Sequence, residues 1–313
     1  MTDYSHFEAC LEAEQATFEA GLRPIPQTET FSAEMDNPIR IPDEISGRSY
    51  GVYQVNQDQP GTPLVMNMSW SEAVGSKTGR SEVNAYASRI TRPIIVIDME
   101  GHGETDPISR PWHSGETFDT LAAAHLRIVY QLGIDDFDIQ GMSMGGVVAA
   151  KMAEQAGERV GKLTTISTVS LEDRKLLTFF WGFGVREAGH QRRYVKSAPE
   201  EVSDVVDSGF VGSLRGVSTL LCLATMMTKE TVLEAIMNLS PRTQWHDFVG
   251  SAEEVTDWRR HLEIVRARNK AYPRSSSLHV LGGETHAWSS IYLSHVATYV
   301  AAALAKGGSQ VRF

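Results

Sequence analysis

Residues 136–146, Asp-Phe-Asp-Ile-Gln-Gly-Met-Ser-Met-Gly-Gly, constrain this chain more than any other stretch. A short apolar run meets a serine set between glycines, and a helix-like segment follows at once. That order is a way to expose one hydroxyl at a tight strand-to-helix turn. Gly141 and Gly145 flank Ser143 at the positions where a side chain would block the turn and the close approach of helix to strand. The same spelling occurs at Gly47-Arg48-Ser49-Tyr50-Gly51, but there a turn-like Asp-Glu-Ile-Ser leads into the alternating run Val52 to Val55. Turn followed by strand is the wrong order for an exposed nucleophile, so context selects Ser143.

Around this motif, compact apolar runs alternate with helix-like segments. Pro63 to Asn67, Pro93 to Asp98, Phe137 to Gln140 and Leu163 to Ser167 read as strands; 72–90, 117–132 and 145–156 read as helices. Such alternation predicts an α/β fold, a mostly parallel central sheet with helices on both faces. The continuous apolar run Ile94 to Ile97 fits a strand buried on both sides. Ahead of this rhythm, Ile39 to Val55 carries two strand-like runs around Asp-Glu-Ile-Ser-Gly and predicts an antiparallel edge, while 1–36 is acidic and helix-like. After Ser170 about seventy residues follow with no clear strand until Thr243 to Val249. We therefore expect a core of 37–170 and 242–313 interrupted by a helical cap, 171–241. Strand and helix patterns resume at 255–271, 277–281 and 291–304.

Composition narrows the function classes. With 313 residues and 42% hydrophobic content the chain can bury a large core. A formal net charge of -10 argues against a nucleic-acid partner, whose binding face is electropositive. Two cysteines, Cys10 and Cys222, make neither a disulfide framework nor a metal-ligand spacing. The N-terminus is acidic where a secretory signal is basic and apolar, and no run reaches the ~18 apolar residues of a membrane span. The expectation is a cytoplasmic protein with a small-molecule substrate, no membrane partner, no cofactor and no metal; a homo-oligomer is compatible with it.

A serine hydroxyl needs a base, and the base needs an acid to orient it. Among ten histidines, His286 follows the last predicted strand through Gly282-Gly283-Glu284-Thr285, at the carboxyl end of the sheet where catalytic groups collect. His102, between Gly101 and Gly103, reads as a loop brace; His125, His261, His279 and His295 fall inside helices or strands and read as solvated or internally satisfied. For the acid, Glu253 lies just past the strand ending at Val249, with Glu254, Asp257 and Asp173 as alternatives; Glu254 and Asp257 also suit a helix N-terminus. Backbone N–H groups for an oxyanion are expected from Met144 and from Met68 or Ser69. The apolar clusters of the cap, with Phe180, Trp181 and Met226, and Trp70 beside the oxyanion loop are expected to line a substrate pocket.

Gly-Met-Ser-Met-Gly-Gly, the 97–106 loop Ile-Asp-Met-Glu-Gly-His-Gly-Glu-Thr-Asp and the Gly-Gly-x-x-His run together resemble the α/β-hydrolase superfamily over about residues 39–304. The resemblance implies the α/β-hydrolase fold with an inserted helical cap and the order serine, acid, histidine, obeyed by Ser143, Glu253 and His286. Ser-Met-Gly-Gly is similar to the elbow of esterases, carbon-carbon bond hydrolases and cofactor-free haloperoxidases; members using aspartate as nucleophile are excluded by Ser143. Two departures stand out: Asn67-Met68-Ser69-Trp70 replaces the usual His-Gly after the third strand, and glutamate replaces the usual aspartate after the seventh. The leading expectation is a serine hydrolase of an ester or thioester of an apolar small molecule. The alternatives are carbon-carbon hydrolysis or lyase chemistry with the same triad, and a non-catalytic ligand-binding protein of this fold.

Overall fold

The computed structural model of the protein describes residues 37–70, 72–109, 115–171, 181, 217–253, 255–282, 284–286 and 293–305. The expected N-terminal helix, most of the expected cap including Phe180, and the alternative acids Asp173 and Glu254 lie outside the described residues. Described strands are β1 (Ile39–Asp43), β2 (Arg48–Val55), β3 (Leu64–Asn67), β4 (Ile94–Ile97), β5 (Phe137–Met142), β6 (Val160–Ile166), β7 (Gln244–Gly250) and β8 (Ser276–Leu281). Described helices are α1 (Lys77–Ala87), α2 (Phe118–Gln131), α3 (Met144–Ala156), α4 (Val217–Lys229), α5 (Leu233–Asn238), α6 (Trp258–Ala271) and α7 (Leu293–Ala305).

The eight strands form one sheet in the order β1-β2-β4-β3-β5-β6-β7-β8. β2 runs antiparallel to both neighbours, and every pair from β4 to β8 is parallel. Period-two alternation makes two cores from one sheet. Ile95 and Ile97 of β4 and Val65 of β3 face a core built with α2, α3, α5 and α6; Ile94, Val96, Leu64 and Met66 face the opposite core with α1 and α7. Both faces of the middle strands are thus sealed, and ligand chemistry is left to their carboxyl ends.

Helix starts follow their capping residues. Thr117 and Thr120 form a reciprocal capping box at α2, and the Asp257 carboxylate accepts the Arg259 N–H at 3.0 Å as the cap of α6. One boundary differs from the sequence pattern. The first helix begins at Lys77, capped by Ser76, several residues after Glu72. The intervening turn is held open because Asp98, at the end of β4, takes the Val74 N–H at 2.8 Å and the Glu104 N–H at 3.1 Å. Burial, opposed by these N–H donors, raises the Asp98 carboxyl to about 6.

After α5 the chain is tied to the core by a buried arginine. Arg268 of α6 is fully buried, and its guanidinium donates to the carbonyls of Ile236 at 3.1 Å, Leu239 at 3.2 Å and Ser240 at 3.0 Å, closing the end of α5. Arg268→Met is expected to cost about 3 kcal/mol of stability, because several buried carbonyls lose their donor together. Chemical denaturation checks this; a loss below about 1 kcal/mol contradicts the clamp. Among the described residues no helix is long and apolar enough to cross a membrane.

Candidate active site

Ser143 sits between β5 and α3 with φ 52° and ψ -117°, a backbone conformation that side chains other than glycine rarely adopt. The turn is clamped on both sides: the Ser143 N–H donates to the Ile166 carbonyl at 2.8 Å, and the Gly146 N–H to the Ser143 carbonyl at 3.1 Å. The glycines are a steric requirement. A Cβ on Gly141 would stand 2.1 Å from the Gly145 carbonyl oxygen, and one on Gly145 would stand 2.3 Å and 2.4 Å from the carbonyl oxygens of Asn67 and Met68. The loop after β3 therefore lies directly on the first turn of α3.

The His286 ring reaches this turn from the loop after β8. Its Nε2 lies 2.9 Å from Ser143 Oγ, and its Nδ1 lies 2.5 Å from Glu253 Oε1. Both loops are laced together: the Ala252 N–H donates to the Glu284 carbonyl at 3.0 Å, and the Ser251 N–H to the Leu281 carbonyl at 2.9 Å. The three side chains are buried. Burial works against the charged form of Glu253, yet the His286 ring first, then His261 and Ser167, hold its carboxyl below the ordinary range. An ionised carboxylate fixes Nδ1 as the protonated nitrogen and leaves Nε2 to accept from the serine.

The alternative acid Asp257 is the cap of α6 described above, and the rival histidine His102 braces its own loop, Nδ1 lying 2.9 Å from the Glu100 carbonyl. His125 is likewise internal, with Nδ1 2.8 Å from Asn67 Oδ1. Asn67, where a histidine was usual, thus points its amide down between α2 and α3, its Nδ2 also 3.4 Å from Met152 Sδ. The Ser69 hydroxyl donates to Glu72 at 2.7 Å, which closes the β3 loop on itself. Met68 and Met144 are fully buried on opposite faces of the sheet, while Trp70 and Met226 join the same buried cluster as Met144. Trp181 is 58% exposed.

The helix α4 packs against loops at the carboxyl ends of the strands. The Ile108 N–H donates to Thr219 Oγ1 at 3.2 Å, and the Ser170 hydroxyl donates to the Met227 carbonyl at 2.7 Å, so α4 bridges the loops after β4 and β6. Among the described residues no group of three or more His, Cys, Asp or Glu side chains is arranged to hold a metal ion.

Sequence reading did not single out three polar residues behind Glu253. The Thr256 hydroxyl donates to Glu253 Oε1 at 2.7 Å; His261 Nε2 lies 3.1 Å from Thr256 Oγ1; and His261 Nδ1 lies 2.6 Å from Asp247 Oδ2. The available signal was a charged residue inside an otherwise buried strand, Trp245-His246-Asp247-Phe248, with a histidine fourteen positions later on a helix.

Comparison with known proteins agrees with this architecture. A family model described as the alpha/beta hydrolase fold matches residues 67–194. A curated relative, the AB hydrolase superfamily protein YisY of Bacillus subtilis (strain 168), is 31% identical over 111 residues, covering 35% of this chain and 39% of its own. The chain therefore matches well under half the length of that relative. Among solved structures, a carboxylesterase of the thaumarchaeon Nitrososphaera gargenis superposes with a TM-score of 0.65 at 16% identity, covering 85% of this chain and 97% of that one. The enol-lactonase of Burkholderia xenovorans LB400 superposes with a TM-score of 0.67 at 13% identity, covering 83% and 98%. Sheet order, the turn at Ser143 and the family model matched over residues 67–194 together show that this chain has the α/β-hydrolase fold.

Proposed function

We propose that the protein is a serine hydrolase that cleaves an ester or thioester of an apolar small molecule through an acyl-enzyme. The observation that carries this reading is the unbroken hydrogen-bond chain Ser143, His286, Glu253, built on the strained backbone turn at Ser143. Ser143 attacks the acyl carbonyl as His286 Nε2 takes its proton; Glu253 stabilises the imidazolium; the same ring then returns the proton to the leaving group. The acyl-serine is released by water that His286 activates in turn. The N–H of Met144, at the start of α3, and the N–H of Ser69 or Met68 are the donors assigned to the oxyanion. Because the Ser69 hydroxyl is engaged by Glu72, Ser69 serves through its backbone. Trp70 and Met226, with Phe180 and Trp181, form the substrate wall in this reading, under a cap spanning 171–241. The likeness to an esterase and a lactonase is consistent with acyl chemistry.

Stopped-flow hydrolysis of aryl esters of increasing acyl length tests the proposal. The expected result is a burst of aryl alcohol equal to the enzyme concentration, followed by slower turnover, with the best kcat/KM for a medium-length apolar acyl chain. Absence of turnover across the series contradicts it. Gly145→Ala is expected to reduce kcat roughly 100-fold or more, because the added methyl forces the Asn67–Met68 backbone away and misplaces an oxyanion donor. Retention of more than half the activity contradicts that geometry.

A further inference from the structure

Behind the catalytic acid a line of buried polar groups continues through the core. Asp247 lies in β7, His261 on α6, Thr165 in β6, and all are fully buried. Thr256, also buried, stands between His261 and Glu253. The donors and acceptors along this line can be assigned one by one. Trp245 Nε1–H only donates, and it donates to Thr165 Oγ1 at 2.7 Å. The Thr165 proton is then free to go to Asp247 Oδ1, 2.7 Å away. The single Thr256 proton goes to Glu253 Oε1, which leaves Thr256 Oγ1 as the acceptor for His261 Nε2. Asp247 Oδ2, an acceptor, faces His261 Nδ1 at 2.6 Å. Both ring nitrogens of His261 therefore face acceptors and both must carry protons.

From this juxtaposition we infer that His261 is a positioning residue for the proposed hydrolysis: a permanently charged imidazolium, paired with Asp247, that holds Glu253 ionised and aimed at His286 through Thr256. The inference rests on the triad reading for its kinetic consequences, but the charge on His261 does not depend on it. The line runs in one direction on each side of each anion: Trp245 to Thr165 to Asp247, His261 to Asp247, His261 to Thr256 to Glu253, and His286 to Glu253. Every member donates toward a carboxylate, so two buried carboxylates are balanced by a fixed cation. Charged groups facing the His261 ring are Asp247 from β7, Glu253 from the following loop and Asp257 at the N-terminus of α6. Burial alone would strip its proton, yet Asp247 first, then Glu253 and Asp257, raise its basicity above the ordinary histidine range.

The arrangement has a consequence for pH. A fixed cation behind Glu253 weakens the pull of that carboxylate on the proton of His286, and so keeps His286 unprotonated to lower pH. His261→Gln retains a donor toward Thr256 without the charge. It should shift the acidic limb of kcat/KM upward by about half a pH unit to one unit, with little change in KM. Thr256→Val breaks the link but keeps the charge; it should lower kcat roughly 10-fold and leave the limb nearly in place.

Nitrogen NMR of the full chain labelled at the histidine rings tests the charge directly, with His261 assigned by its loss in His261→Gln or its shift in Asp247→Asn. The expected result is a His261 ring with both nitrogens protonated at pH 7.5. A neutral ring at pH 7.5, or an unmoved acidic limb in a folded His261→Gln protein, overturns the inference. Should no ester be hydrolysed, the acyl-transfer reading fails while the NMR still decides the state of His261.

Discussion

Ser143→Ala is expected to lower kcat by roughly 10^4- to 10^6-fold on any ester the protein turns over, with little change in KM and no loss of fold. In the proposed mechanism the Ser143 hydroxyl oxygen forms the acyl bond, and His286 Nε2 addresses it at 2.9 Å. Alanine has the same backbone cost as serine at φ 52°, so the turn and its clamp to Ile166 persist. Residual rate comes only from the oxyanion donors and substrate binding. Circular dichroism and thermal unfolding should match the unsubstituted protein within a few degrees. A variant that keeps a tenth of the activity would mean that Ser143 is not the nucleophile.

Glu253→Gln is expected to cost roughly 10^3- to 10^4-fold in kcat. Glu253 Oε1 serves two donors at once, His286 Nδ1 and the Thr256 hydroxyl. A glutamine that turns its NH2 toward His286 makes Nδ1 an acceptor and puts the ring proton on Nε2, which then cannot take the proton of Ser143. A glutamine that turns its carbonyl there keeps the tautomer but loses the negative charge that stabilises the imidazolium. Either way the loss falls on kcat. Steady-state kinetics on the best ester measure it, and a loss under 10-fold would show that another carboxylate orients the histidine.

Much of the fold was legible because parallel strands sealed on both faces are written as continuous apolar runs. Ile94 to Ile97 and the other runs required no long-range information, and the antiparallel edge was marked by its turn. The start of the first helix was not legible: Asp98, distant in sequence, takes the Val74 N–H and holds the preceding turn open. At the site, Ser143 announced itself by glycine spacing and His286 by its place after the last strand. The choice among Glu253, Glu254 and Asp257 depended on which side chain reaches a ring, a three-dimensional fact; Asp257 proves to cap α6 and Glu253 to contact Nδ1. His261 looked like an ordinary helix histidine because its partners are spread over β7 and the turn before α6. Asn67 carried a similar ambiguity. Its amide turns away from the site toward His125 and Met152, while the backbone of its loop stays against Gly145.

Intact-mass and peptide mapping after treatment with a fluorophosphonate probe decide whether Ser143 is the nucleophile. The expected result is one covalent adduct per chain, located on Ser143, absent in Ser143→Ala and strongly slowed in Glu253→Gln. An unlabelled protein, or an adduct located on any other residue, would contradict it.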